Sequence, residues 1–346
     1  MPTHQEPLPR RWPALAISLL LLQALLLAVA HQAAAQPAGG ELGLLASPQV
    51  GKLHTDLSYA FRLSPEQGVE RQAADLGYTS HRLALFTPLV QNPTQELALS
   101  ARAGLMDFNT TAVLPDSHRA LPGQFWDNRL GLMYRRQLDN GWIAGLTASG
   151  GSPSDKPFNS EHELSLGAMA FVRVPQGPRD AWLFMLSYND DRNRDLPYRL
   201  PIPGLAYWHQ PSPSFQALLG VPFMSLRWLP AKGWDLTASY LMPFQVRLKA
   251  GYRINEAWKT YAAFSWSNES WYLADRANSE NRVFFWQKEA SLGLVRQLTP
   301  RLDLDLSLGY VFDRLIFQGE NYGDRDQDRI DLEDGALVQI RLGWRI

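Results

Sequence analysis

Gly335-Ala336-Leu337-Val338-Gln339-Ile340-Arg341-Leu342-Gly343-Trp344-Arg345-Ile346 closes the chain, and its alternation decides the fold class. Val338, Ile340, Leu342, Trp344 and Ile346 fall on one face of an extended segment; Gln339, Arg341, Gly343 and Arg345 fall on the other. Side chains two positions apart share a strand face, so the pattern describes a strand with one apolar and one polar side. The same period recurs upstream. Leu302, Leu304, Leu306, Leu308, Tyr310 and Phe312 oppose Asp303, Asp305, Ser307 and Gly309. Val246, Leu248, Ala250, Tyr252 and Ile254 oppose Arg247, Lys249, Gly251 and Arg253. Near the start, Leu53, Leu57, Tyr59, Phe61 and Leu63 oppose His54, Asp56, Ser58 and Arg62.

Three further features separate a membrane barrel from a soluble sheet. The alternating segments run to about ten residues or more, which suits a tilted crossing of a bilayer. Short connections at 139–141, 231–233, 255–257 and 299–301 interleave with long polar ones near 107–126, 150–162, 189–216, 269–282 and 313–335. Outer-membrane barrels pair short periplasmic turns with long outer loops in this way. Lastly, Trp142, Trp182, Trp234 and Trp258 each follow a short turn, in phase with the apolar face, and Trp344 lies near the end of the last strand. An indole is amphipathic and favours the membrane surface, so these five predict an aromatic girdle. Tyr59, Tyr188, Tyr240, Trp266 and Tyr310 predict a second one. Charges on the lipid phase, Arg136, Lys288 and Arg296, sit toward strand ends, where long stems reach the interface.

The chain has 346 residues, a net charge of -1 and no cysteine. Near-neutrality gives no reason to expect nucleic acid as a partner. The missing thiols exclude disulfides, thiolate metal sites and thiol catalysis. Arg10 and Arg11, the apolar stretch 12–30 and Ala33-Ala34-Ala35 predict a signal peptide over 1–35, with an uncleaved membrane anchor as the alternative. Residues 36–50 read as a periplasmic lead-in and 51–346 as the barrel. The expected fold is all-β: a transmembrane antiparallel up-and-down barrel of fourteen strands, with twelve as the alternative. The strands fall near 51–63, 74–86, 95–106, 127–138, 141–149, 163–174, 181–189, 217–229, 234–241, 244–254, 257–268, 283–297, 302–313 and 335–346. Pro201, Pro203, Pro211, Pro213 and Pro222 cannot donate to a ladder, so 190–216 reads as a long outer loop.

The stretch Leu200-Pro201-Ile202-Pro203-Gly204-Leu205-Ala206-Tyr207, then Gly220-Val221-Pro222-Phe223, then Tyr240, Pro243 and Tyr252 with the closing hairpin, resembles an uncharacterised bacterial family of outer-membrane β-barrels, a domain of unknown function. The resemblance would span most of the mature chain. It implies a barrel in the outer membrane of a Gram-negative bacterium and carries over no catalytic or ligand residue. The chain departs from common outer-membrane barrels by ending in Ile346 rather than an aromatic residue, which puts the last strand's value as an assembly signal in doubt.

Function is sought in the lumen. If the last strand closes the ring, Asp303 and Asp305 lie beside Arg341 and Arg345, with His54 and Asp56 on the other side. That cluster reads either as a charged constriction that selects a solute or as an inert polar network that sets register. A second patch, Arg247, Lys249 and Arg253, attracts anions or pairs with acids such as Glu289. Asp324, Asp326 and Asp328 form a D-x-D-x-D loop, a weak calcium candidate against a solvated acidic loop. The seven histidines lack metal-ligand spacing, and no nucleophile elbow or phosphate loop is present. No cofactor and no catalytic residue is expected. The expected role is a porin-like narrow channel or transporter for a small solute. A closed structural or interaction barrel working through its outer loops is the alternative, and a lipid-modifying enzyme stands third. Expected partners are outer-membrane lipid and the barrel-assembly machinery.

Overall fold

A computed structural model describes residues 47–190, 200–242 and 245–346. The signal peptide expected over 1–35 lies outside the described residues, as does the lead-in up to residue 46. Alternation produces strands throughout: β1 (Asp56–Gly68), β2 (Asp75–Asn92), β3 (Gln95–Thr110), β4 (Gln124–Gln137), β5 (Ile143–Ser154), β6 (Ser165–Gln176), β7 (Asp180–Asn189), β8 (Ile202–Ser212), β9 (Phe215–Val221), β10 (Phe223–Trp228), β11 (Trp234–Leu241), β12 (Gln245–Arg253), β13 (Trp258–Tyr272), β14 (Arg282–Thr299), β15 (Leu302–Gly319), β16 (Ile330–Leu332) and β17 (Gly335–Arg345).

From β1 to β15 each strand pairs antiparallel with the next, and β17 closes the ring. It runs beside β15 from Leu302↔Trp344 to Val311↔Gly335, and beside β1 from Asp56↔Arg345 to Leu63↔Val338. The short β16 pairs with β15, bridges Val69 just beyond β1 through Leu332, and stands outside the ring, leaving sixteen strands in the barrel. Closure removes the unpaired edges that an open sheet would present.

Sixteen corrects the expected fourteen, and the prolines explain the difference. The expected loop 190–216 contains β8, and the expected strand 217–229 is two strands meeting at Pro222. Pro203 pairs with Leu186 of β7, but pairing with β9 begins only at Leu205↔Val221. Pro211 falls in the irregularity between His209 and Ser212, beyond the last β7 pair at Trp208. Each proline thus sits where one neighbouring ladder is absent, which is where a strand tolerates a missing N–H. A second correction concerns the start. β1 begins at Asp56 rather than residue 51, so Leu53 belongs to the lead-in; it is buried instead of facing out.

The outer wall is apolar. Leu292 and Leu308 form a cross-strand pair and are each 69% exposed, and Leu130, Leu146 and Leu166 are similarly bare. The wall is also uneven. β2, β14 and β15 have eighteen residues each, whereas β9 and β10 have seven and six. A tilted bilayer crossing needs about 9–11 residues, so the tall strands are longer than such a crossing requires.

The inside is partly filled. Toward the long-loop end, Tyr78, Phe108, Phe125, Trp271 and Phe285, with aliphatic neighbours from β15–β17, form one buried cluster. Its rings meet edge-on, with Tyr78 5.6 Å from Phe285 and Phe108 5.6 Å from Phe125. β2–β4 and β13–β15 thereby touch across the lumen. A second cluster lines β6–β10 with Phe171, Leu183, Met185, Trp208, Leu218 and Phe223, and takes in Leu53 of the lead-in.

Candidate functional site

Alternation aims every second side chain inward, and the registers set their heights. What the polar phase does there depends on which charges find partners. Two ion pairs cross the lumen. Arg62 on β1 reaches Glu289 on β14 at 2.5 Å, and Arg82 on β2 reaches Glu269 on β13 at 2.9 Å. Above them, the Tyr78 hydroxyl donates to Gln287 at 3.3 Å, and Arg314 donates to Gln67 at 2.9 Å. These bonds tie the arc from β13 to β2 together on its inner side.

The lead-in occupies part of the short-turn mouth. Arg135 on β4 and Glu96 on β3 form a fully buried ion pair. Arg135 also donates to the carbonyl oxygen of Gln49 at 2.9 Å, and Glu96 accepts from the Gly51 N–H at 2.6 Å. Leu53 N–H donates to Gln91 at 3.0 Å. The pair thus grips the backbone of 47–53 against the wall. Gly51 has φ +78, and a Cβ there would lie 2.2 Å from the Asn92 carbonyl oxygen, so the strap can approach only as glycine.

Opposite this strap, a cavity of about 1310 Å³ opens at the short-turn end. Five of the six residues expected to cluster line it: Asp56, Asp303, Asp305, Arg341 and Arg345. His54 stands just before β1, in the field of Asp56 and Arg345; burial lowers its pKa while Asp56 opposes the shift. The pairing within the group differs from the simplest expectation. Arg345 bonds Asp56 at 3.3 Å, but Asp305 accepts from the Tyr261 hydroxyl at 2.8 Å although Arg341 is its register partner.

Of the basic patch, Lys249 and Arg253 line the same cavity, and Arg247 lies one step deeper on the same face of β12. Glu289, the acid expected to neutralise this patch, is held by Arg62 instead. Lys249 lies over the Tyr261 ring, with Nζ 3.5 Å from its centre. The partners Arg62, Arg82 and Glu269 were absent from the expected site, as were Tyr261 and the Arg135–Glu96 pair. Each lies on the polar phase of its strand, which is the one signal sequence offers. Which of them meet across the lumen depends on ring size and shear.

Of the expected girdle residues, Trp142, Trp182 and Trp234 are exposed and Trp258 and Trp344 half-buried, and Trp234 and Trp344 border the cavity. Trp182 packs on Tyr207 at 4.8 Å, Trp234 on Tyr252 at 5.2 Å, and Arg296 covers Trp258 at 5.2 Å. Lys288, another charge on the lipid phase, pairs with Asp313 at 2.5 Å and lies near the Trp266 ring.

The D-x-D-x-D loop does not gather a cation site. Asp324 accepts from the N–H groups of Glu320 and Asn321, Asp326 pairs with Arg329, and Asp328 accepts from the N–H groups of Asp116 and Ser117. Alternate spacing converges only if the loop curls around a centre; this one begins with a 3-10 turn over Tyr322–Asp324, and the three carboxylates diverge. No set of three or more metal-ligating residues occurs among the described residues.

Together these features define a closed antiparallel β-barrel with an apolar wall and a charged, partly filled lumen. No protein-family model and no curated protein matches the chain. Among solved structures, an outer membrane channel from Pseudomonas putida F1 aligns over 90% of this chain and 100% of its own, at 11% identity and TM-score 0.40. OccK7 (OpdD) of Pseudomonas aeruginosa aligns over 85% of this chain and 98% of its own, at 10% identity and TM-score 0.37. The β-domain of the Bordetella autotransporter BrkA covers 84% of this chain and 98% of its own, at 11% identity and TM-score 0.31.

Proposed function

We propose that this chain is an outer-membrane barrel that passes or binds a small solute through a narrow, partly plugged lumen. The observation that carries the reading is the charged cavity of about 1310 Å³ inside a closed ring, open at the short-turn end. A purely structural barrel has no need of an internal space that keeps charged side chains in water. The outer wall supports membrane insertion, because exposed leucines between aromatic rims match hydrocarbon between two interfaces. On this reading the short turns face the periplasm, surrounding lipid and the assembly machinery are the partners, and no covalent chemistry is involved.

A second reading has its own support. β5 and β13 stand eight strands apart in a sixteen-strand ring, on opposite sides, yet Ser154 and Tyr272 form a parallel bridge. Asp155 N–H donates to the Tyr272 carbonyl at 3.2 Å, Ala274 N–H donates to Asp155 at 2.8 Å, and Arg276 reaches Glu163 at 3.1 Å. This strap across the long-loop mouth favours a closed barrel that works through its loops. Single-channel recording on the refolded full chain separates the two. Steady ion flux at neutral pH supports passage; silence under all voltages and salts, with the barrel folded, leaves the closed barrel.

A further inference from the structure

Among the described residues, more cations than carboxylates of the cavity lack an ion-pair partner: Lys232, Lys249, Arg253, Lys259 and Arg341 against Glu256, Asp303 and Asp305. Glu289 belongs to Arg62 and Glu269 to Arg82; Asp235 belongs to Arg227 at 3.0 Å, Asp56 to Arg345, and Asp305 accepts from Tyr261. Among the described residues, Arg247, Arg253, Lys259 and Arg341 form no ion pair, and Lys249 rests on the Tyr261 ring in the field of Asp305 without pairing with it. All five are exposed even though their strand phase points inward, so they reach into lumenal water. Arg253 and Lys259 are register partners on β12 and β13, so two cations stand side by side at the mouth. Like charges directly opposite on a sheet destabilise it unless something between them is negative.

The local balance has the same sign. Seven lysines and arginines but five aspartates and glutamates line the cavity, in a chain whose net charge is -1. Deeper in, Arg247 lies in the field of Arg82, Arg62 and Arg341, opposed by Glu269. The spacing is that of a ladder. Arg253, Lys249 and Arg247 mark rising levels on one strand, Gly251 leaves a gap between the first two, and Arg341 contributes from β17. Multiple weak sites at successive depths favour entry without trapping, which conduction requires.

We infer that the open half of the lumen is an anion pathway, with Arg253, Lys249, Arg247 and Arg341 passing a small anion along the β12 wall. The inference rests on the solute-passing reading and names the class of solute. Phosphates, carboxylates and halides share the required chemistry: compact negative charge that accepts N–H bonds from several cations in turn.

The test uses the refolded full chain in a planar bilayer under a tenfold potassium chloride gradient. The reversal potential should have the anion sign, with chloride favoured over potassium by at least about threefold. Lys249→Glu combined with Arg253→Glu should bring that ratio below one, and inorganic phosphate on the cavity side should reduce the chloride current of the unaltered chain. Lumenal substitutions spare the lipid-facing wall, and heat-dependent gel mobility verifies that the variant is folded. If the double variant does not fold, the unaltered chain's reversal potential and phosphate block, with Lys249→Gln, decide the question. Conductance without anion preference, or a ratio that ignores the charge reversal, overturns the inference and leaves the channel standing. Absence of conductance overturns the channel reading and this inference with it.

Discussion

Arg135 and Glu96 show how much one buried pair can control. Neither side chain reaches solvent, and together they hold the backbone at Gln49 and Gly51. Removing one partner of such a pair leaves a charge without compensation in a dry site, typically costing about 3–5 kcal/mol, whereas replacing both with apolar groups of similar size is close to neutral. Arg135→Ala is therefore expected to lower the unfolding temperature in detergent and to expose 47–53 to protease from the short-turn side. Arg135→Met combined with Glu96→Leu should recover most of the stability while still loosening the strap, because the backbone bonds are gone in both. Equal stability of the single and double variants would mean that the pair is not the latch. Gly51→Val probes the same contact sterically. Its Cβ would overlap the Asn92 carbonyl, and a β-branched residue at positive φ is strained, so the strap should detach with the ion pair intact.

At the scale of single elements, the loops that meet over the long-loop mouth carry a pH dependence. Glu163 follows Ser160 in a capping box, and its carboxylate also receives Arg276. Burial by itself would raise its pKa, but the bonds from Ser160 and Arg276 outweigh burial and lower it from the ordinary 4.5. The unfolded loop thus takes up its proton first as the medium is acidified. The clamp's contribution is complete above 4.5 and is lost as pH falls through the lower folded value. Protection at 155–164 and 273–281, taken relative to the intrinsic exchange rate at each pH, should fall on acidification in the native chain, whereas Glu163→Gln should show low protection at every pH. A native profile that is flat between pH 6 and about pH 3 would contradict the assignment. The elements themselves were legible in proportion to their alternation. β12 and β17 alternate cleanly and lie where the residues place them, whereas β15 starts at Leu302 as expected but runs to Gly319, past the expected end at 313. β8 to β10 were hidden because five prolines between 201 and 222 suggest a loop, and a strand tolerates them only where a neighbouring ladder is missing, which is a property of the register and not of the local residues. The strap across the mouth was hidden for a related reason: Ser154 and Tyr272 are far apart in sequence, and nothing local marks them as partners.

For the molecule as a whole, everything depends on which side of the wall meets hydrocarbon. Sequence phase assigned the wall where a strand's other face is polar, as in β12 and β17; along β6 to β10 both faces carry apolar residues, and Phe171, Leu183, Met185, Trp208, Leu218 and Phe223 are buried. It assigned the lumenal members too, but not their pairing, because a chord such as Arg82 to Glu269 depends on how many strands separate β2 from β13 and on how they are sheared. Leu292 and Leu308 make the wall testable, being adjacent across β14 and β15 and the most exposed large apolar residues of the barrel. Beside them, Ser291 and Gly309 face inward at nearly the same depth. In a bilayer, an arginine at mid-depth on the outer face costs about 2–4 kcal/mol, and less toward the interfaces. In water the same exposed leucine could be replaced almost without cost. Leu308→Arg is thus expected to destabilise the barrel by that amount in reversible denaturant unfolding from lipid vesicles, whereas Ser291→Arg, directed into the lumen, should change stability far less. The difference between the two variants cancels any general effect of adding a cation, so it reads the sidedness directly. Equal costs at the two positions, or a mature chain that stays monomeric and folded without detergent, would mean that the exposed leucines meet water.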